Sequence, residues 1–401
     1  MPGTRRPTGP VPEHLREAAA GIDPPFGVLD AAALGVNIED LRRRAAGKPI
    51  RVASKSMRMR AALARVLDEP GFHGVLCYAL PEAIWLARHG FRDLVVGYPT
   101  VHREAIRQLA TDDALAAEIT VMVDDPAQLD LVDAVAPWPG RSTIRVCLEL
   151  DAAFRPAGNA VILGARRSPI RTPRDATTLA RHVAGRGGFD LVGLMAYEGQ
   201  IAGVGNAGHG PRAAAVRAMQ RRSAAELAER RPAVVRAVRQ LADLEFVNGG
   251  GTGSIETTTK DPSVTEIAAG SGLLGPGLFD HYTSFRPAPA AYFVLPVVRR
   301  PARDIVTVAG GGWIASGPPG LDRLPTPTHP TGLRYIGTES AGEVQTPLRG
   351  RAARHLQIGD QVWFRHAKSG EVCEHLNELV VIDGGTIVDR FPTYRGEGKA
   401  F

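Results

Sequence analysis

The chain has 401 residues, of which 44% are hydrophobic and 22% charged, with a formal net charge of +6. That length suits two domains of about 100–200 residues each, or one large barrel with a smaller module. Its basic residues, nearly all arginine, alternate with acids in stretches such as RRSAAELAERRPAVVRAVRQLADLE, which reads as a solvated helix face and argues against a nucleic-acid stripe. Taken in chain order, residues 1–24 are rich in Pro, Gly and Arg and are expected to form a flexible leader that docks late, if at all. From residue 25 to 287, short apolar runs alternate with helical spacing. The runs are FGVLD, IRVAS, FHGVLCY, DLVVGYP, ITVMVDD, TIRVCLELD, LVGLMAY, LEFVNG and VTEIAAG. Between them lie patterns such as MRMRAALARVLDE and PEAIWLARHG. This alternation predicts an α/β fold with a parallel sheet, and the number of units suits a closed (β/α)8 barrel. Residues 288–401 change texture to strand-like runs between Gly/Pro turns, which predicts a C-terminal all-β domain, with the segment at 20–30 a candidate to complete it.

No segment approaches the ~20 apolar residues of a membrane span, and the opening MPGTRRPTGPVPEH lacks a signal-peptide pattern. Cys77 and Cys147 lie in apolar runs and are expected to be reduced core residues. A cytoplasmic protein with no membrane or nucleic-acid partner is expected.

RVASKSMR sets Lys55 directly after an apolar run. In a parallel barrel the chemistry gathers at the carboxyl ends of the strands, so Lys55 is expected to face a shared mouth. A lysine partly withdrawn from water gives up its proton more readily and can condense with an aldehyde. The competing reading is a surface lysine at a loop start. LEFVNGGGTGS ends a strand in glycines followed by Thr252, Gly253 and Ser254. Backbone amides at Gly250, Gly251, Thr252 and Gly253 can converge on an anion, whereas the competing reading is a flexible turn. AAGSG adds Gly270, Ser271 and Gly272 beside it. Neither stretch has the GxxxxGK[ST] frame of an ATP loop. An amine for an aldehyde and a cradle for a phosphate, on first and last barrel strands, together suggest pyridoxal 5′-phosphate.

With these residues in view, the chain resembles the fold-type III pyridoxal phosphate enzymes, whose barrel is of alanine-racemase type. Within them it is similar to the D-threonine aldolase and D-serine dehydratase branch, and to actinobacterial proteins described as amino acid deaminase/aldolase. The stretches RVASKSMR, MAYEGQIAG, VNGGGTGS, AAGSGLLGP and GDQVWFRHAKSGE carry the resemblance. It implies Lys55 as the Schiff-base lysine, and residues 250–253 with Gly270 and Ser271 as the phosphate site. It further implies Arg155 at the cofactor's phenolic oxygen and Tyr197 facing the cofactor, with Gln200 on the same loop. The sequence departs from the family pattern after Arg155, where Pro156 and Ala157 precede the glycine. Ala268 and Ala269 stand where racemases place an arginine near the pyridine nitrogen, which moves racemisation down the ranking.

The same branch carries a divalent metal, such as zinc or manganese, on a His-x-Cys or His-x-Asp pair. GDQVWFRH brings His366 to the matching place, but Lys368 stands two residues on. Two readings stand open: a shifted site using His366 with Cys373 or His375, near Glu371 and Glu343, or polar edge residues left after loss of the metal. The implied activity is a lyase acting on β-hydroxy amino acids of D configuration, with Lys55 and His366 as the catalytic pair. Its products would be glycine and an aldehyde, or ammonia and a keto acid. A racemase, a cofactor-carrying protein without turnover and a sugar-phosphate barrel enzyme are the competing readings. A homodimer and a small amino acid partner are implied by the resemblance alone.

Overall fold

A computed structural model describes residues 9–401. The chain forms two compact units: one of residues 41–54, 64–270 and 401, the other of residues up to 40, 55–63 and 271–400. A short helix, α1 (Glu13–Ala18), and the first strand, β1 (Phe26–Asp30), belong to the second unit.

The remaining eight apolar runs make the first unit. They are β2 (Ile50–Ala53), β3 (Phe72–Cys77), β4 (Leu94–Val96), β5 (Ile119–Val123), β6 (Ile144–Glu149), β7 (Phe189–Ala196), β8 (Phe246–Gly249) and β9 (Glu266–Ala269). Among the described residues these eight close into a parallel barrel in the order β9-β2-β3-β4-β5-β6-β7-β8. Closure is made by β9, which pairs Ile267 with Ile50 on β2 and with Gly249 on β8. Runs such as ITVMV are buried at every position because a barrel strand is covered on both faces. The connecting helices start where the sequence caps them. Asp125 and Gln128 form a capping box on the helix Pro126–Val135, and Thr172 and Asp175 another on Pro173–Ala184. The longest helix, α2 (Pro211–Val238), is largely polar on its surface yet buries Arg231.

In the second unit, nine strands form one sheet among the described residues. They are β1 with β10 (Ala291–Ala302), β11 (Ile305–Ala309), β12 (Thr326–His329), β13 (Arg334–Tyr335), β14 (Gln345–Arg349), β15 (Gln361–Arg365), β16 (Glu378–Asp383) and β17 (Thr386–Pro392). β1 runs antiparallel to β10 and parallel to β16, so FGVLD completes the β sheet and is no part of the barrel.

Residues 1–8 of the expected leader lie outside the described residues, and its described part is docked. Val11, Leu15 and Ala19 are buried in one cluster with Tyr292, Trp363 and Val380. Leu15 lies within α1 and Val11 and Ala19 flank it, and burying a leucine side chain contributes about 1.5–3 kcal/mol. The Pro and Arg content masked these few residues. Among the described residues no helix is long and apolar enough to cross a membrane.

Candidate active site

The barrel unit has a polar interior at the amino ends of its strands. Arg51 on β2 is 1% exposed and grips Glu266 on β9 through Nε at 2.7 Å and Nη2 at 2.9 Å. His73 on β3 lies 2.9 Å from the same carboxylate, and Asn248 on β8 donates to it at 2.7 Å. Burial opposes the charge of Glu266, but the His73 hydrogen bond and the charge and hydrogen bonds of Arg51 outweigh it and hold the carboxyl down at about 2. This network ties four neighbouring strands together.

At the carboxyl ends the glycine loop is a built structure. Gly250 sits at φ +85°, a left-handed bend that glycine adopts without cost. Its N–H donates to the Glu198 carboxylate at 3.1 Å, and the Gly251 N–H donates to Ser254 Oγ at 3.2 Å. Glu198, 1% exposed, also receives Arg231 at 3.1 Å and the Thr258 hydroxyl. Arg231 in turn pairs with the buried Asp261 at 3.4 Å. From the other side Arg44 donates to the Thr252 carbonyl at 2.6 Å while pairing with Glu256. A Cβ on Gly251 would fall 2.9 Å from Ala202 Cβ and 3.2 Å from the Tyr197 ring. The loop therefore lies against Tyr197 only because position 251 has no side chain. Gly270 is needed for closure itself, since a Cβ there would meet the Ala53 carbonyl oxygen at 2.7 Å.

Tyr197 follows β7 directly. Burial pushes its hydroxyl above the ordinary tyrosine range, while Arg167 pulls the other way. The Arg167 guanidinium carbon lies 5.7 Å from the Tyr197 ring centre and 5.2 Å from that of Tyr98, which follows β4. Glu149, the last residue of β6, is 6% exposed; burial pushes its carboxyl up to about 7, against the attraction of Arg167. Arg155, assigned to the cofactor on sequence grounds, is tied to Asp151 at 2.5 Å and to Asn159. Gln200 is buried and donates to the Ala152 carbonyl and to Ser223 Oγ, both at 2.7 Å, which gives it a packing role.

Lys55 lies in the second unit, on the short 3-10 turn Ser54–Ser56 two residues beyond β2, and its side chain is exposed. The expected partial withdrawal from water is therefore not supplied by the chain's own packing. His366, just after β15, is buried. Its Nδ1 lies 3.2 Å from the Ala291 carbonyl, which can only accept, so the ring proton sits on Nδ1 and Nε2 carries a lone pair. Burial, with Arg365 next in weight, pushes His366 down to about 3, so the ring is neutral. Cys373 donates its thiol to the Met57 carbonyl at 3.2 Å, and burial pushes that thiol up to about 12. Glu343 is exposed on a loop. Among the described residues no three His, Cys, Asp or Glu side chains gather to hold a metal ion.

The sequence model of the alanine racemase N-terminal domain matches residues 29–276. The chain belongs to that family. A 3-hydroxy-D-aspartate aldolase of Paracoccus denitrificans is 29% identical over 252 residues, which cover 62% of this chain and 60% of the relative. The match thus spans about 60% of that relative's length. A D-threonine aldolase of an Arthrobacter species is 26% identical over 309 residues, 75% of each chain. Among solved structures, that of D-threonine aldolase from Filomicrobium marinum superimposes with a TM-score of 0.75 at 20% identity, covering 99% of both chains.

Within this alanine racemase family barrel, the residues that sequence reasoning missed are Glu198, Arg231 and Asp261, which fix the glycine loop, and Arg167, which lies over Tyr197. Glu198 stands inside the quoted MAYEGQ, two residues from Ala196, and its burial next to a glycine-rich segment is the signal that was available. Arg167 had none, because it comes after a long excursion beyond β6 that includes the short strand Pro156–Asn159 and follows no barrel-strand pattern.

Proposed function

We propose that the protein is a pyridoxal 5′-phosphate-dependent lyase of β-hydroxy amino acids of D configuration, yielding glycine and an aldehyde, or ammonia and a keto acid. The observation that carries this reading is strand order at barrel closure. β9 lies between β2 and β8, so the segments bearing Lys55, Gly270 with Ser271, and the 250–253 loop leave the carboxyl ends of three neighbouring strands. The relatives' names, aldolases of 3-hydroxy-D-aspartate and D-threonine, supply the substrate class and the configuration.

The residues fit such a cofactor. The loop at 250–253 is held rigid from both sides, and a Cβ at Gly251 would fill the space beside Tyr197. In this reading Lys55 takes the aldehyde, and Tyr197 with Arg167 lines the ring. Of the 250–253 loop, Thr252 and Gly253 with Gly270 and Ser271 take the phosphate, because the Gly250 and Gly251 N–H groups are spent on Glu198 and Ser254; Arg155 stays outside this set. The cofactor, when bound, supplies an electron sink for bonds at the substrate α-carbon. Lys55, exposed on its turn, is the group able to accept or return a proton at that carbon. His366 is neutral with a lone pair on Nε2, but the burial that pushes it down to about 3 makes it a weak base, so this reading assigns it no proton transfer. A homodimer of this chain is part of the same reading, resting on the resemblance.

The experiment is direct. Purified protein supplied with pyridoxal phosphate is given D-threonine, D-serine and 3-hydroxy-D-aspartate, and glycine, aldehyde and keto acid are measured. Formation of one of these product sets, lost in Lys55→Ala, is expected. Absence of all of them with a fully loaded protein contradicts the reading.

A further inference from the structure

The stretch SGEVCEH, residues 369–375, was read from sequence as one half of a metal site. Its potential ligands have partners within the chain, and among the described residues no three of them gather at one point. Cys373 gives its thiol hydrogen to Met57. Glu371 accepts the Ser316 N–H at 2.9 Å, and His375 lies flat on Trp313, 4.8 Å between ring centres and 4° between planes. Two residues after His366, where a second ligand would stand, Lys368 donates to Ser316 Oγ at 2.6 Å. His366 lines a cavity of about 10 Å³ shared with Trp313, Lys368, Glu371 and His375, room for one water molecule. A divalent ion placed there would share the cavity wall with the Lys368 ammonium, a like charge that repels it.

The same stretch is spent on a different task. Gly370 is at φ +86°, and a Cβ on it would overlap the Lys55 carbonyl oxygen. Cys373 holds Met57, two residues beyond Lys55. Glu374 pairs with Arg58, whose Nε donates to the Lys55 carbonyl at 3.2 Å and whose own carbonyl accepts the Tyr394 N–H at 2.8 Å. Ser369 Oγ donates to the Ser271 carbonyl at 2.6 Å. One seven-residue loop thus meets the lysine segment through a close backbone approach at Gly370, a hydrogen bond to the Met57 carbonyl and an ion pair with the Arg58 side chain, and meets the Ser271 carbonyl through Ser369. We propose that residues 369–375 are the seat of the Lys55 and Ser271 segments rather than half of a metal site, with Gly370 and Cys373 as positioning residues, and that the reaction runs without a divalent metal.

The proposal rests on the cofactor reading for its role in catalysis, so the experiment separates the two. Wild-type holoenzyme is incubated with zinc or manganese, passed through gel filtration and analysed for metal. A content below about 0.1 ion per chain, with turnover unchanged by a chelator, is expected; one ion per chain that His366→Ala or Cys373→Ala removes overturns the proposal. Pyridoxal phosphate affinity is then titrated by absorbance. Cys373→Ala is expected to weaken it about fivefold to tenfold, the weight of one buried hydrogen bond, with Cys373→Ser restoring most of the loss. Wild-type affinity in Cys373→Ala overturns the positioning role. If the cofactor reading itself is wrong, wild type and Lys55→Ala bind pyridoxal phosphate equally, while the metal analysis still reads out; it also requires no variant to fold.

Discussion

Two glutamates of one barrel stand at opposite ends of their strands and titrate in opposite directions. Glu266 opens β9 and receives Arg51, His73 and Asn248, which hold it at about 2 despite burial. Glu149 closes β6, and burial pushes it up to about 7 with only the attraction of Arg167 to offset it. Burial is similar in the two; the supply of donors is not. Glu266 thus belongs to a saturated network that fixes closure, whereas Glu149, beside Asp124 and Asp151, lacks a comparable set of donors. Such an unsaturated position is where a ligand with its own charges has most to gain.

The sharpest way to break this contrast is Glu266→Ala, which strands the buried Arg51 and is expected to cost about 3–5 kcal/mol in urea unfolding. Equal stability would mean that the floor network is incidental. Next, Glu198→Ala removes the acceptor of Gly250 N–H and the partner of buried Arg231, with an expected loss of about 2–4 kcal/mol and weakened retention of phosphate-bearing ligands by equilibrium dialysis.

Glu149→Gln sharpens the other side. Because the folded carboxyl titrates near 7 and the unfolded one near its ordinary value, the folded state holds the proton more tightly between those two points. Wild-type stability should thus fall as pH rises from about 4.5 to about 7, by on the order of 2 kcal/mol. Glu149→Gln should lack that fall in thermal melts across the window. For Glu266 the sign reverses: its contribution is present above the ordinary carboxylate range and is lost as pH falls toward about 2. The smallest effect separates the two arginines of the rim. Arg167→Ala is expected to lower pyridoxal phosphate affinity about tenfold, in line with a well-placed cation–π contact. Arg155→Ala, spent on Asp151 and Asn159, is expected to change it less than about threefold, as for a partly exposed ion pair. The reverse order would restore Arg155 to the cofactor.

The barrel was legible because eight β-branched runs alternate with helical spacing, and the glycine loop because GGGTGS has few other uses directly after a strand. Other features depend on contacts that no local pattern announces. α1 and its two flanks bury only Val11, Leu15 and Ala19 inside a Pro- and Arg-rich segment. Arg231 reads as one more charge on a solvated helix and is instead buried between Glu198 and Asp261. Cys373 and Gly370 look like a ligand and a turn in sequence, and their reason lies three hundred residues away at Lys55 and Met57.

The central claim is that the amine at position 55 binds the cofactor while the 250–253 loop holds its phosphate. Borohydride reduction of the pyridoxal phosphate-loaded protein, followed by mass analysis of its peptides, measures this most directly. The account predicts a single added pyridoxyl phosphate group on the peptide containing Lys55, absent when Lys55→Ala is treated in the same way. A label on Lys48, Lys260 or Lys368 instead, or none on a catalytically active protein, would contradict it.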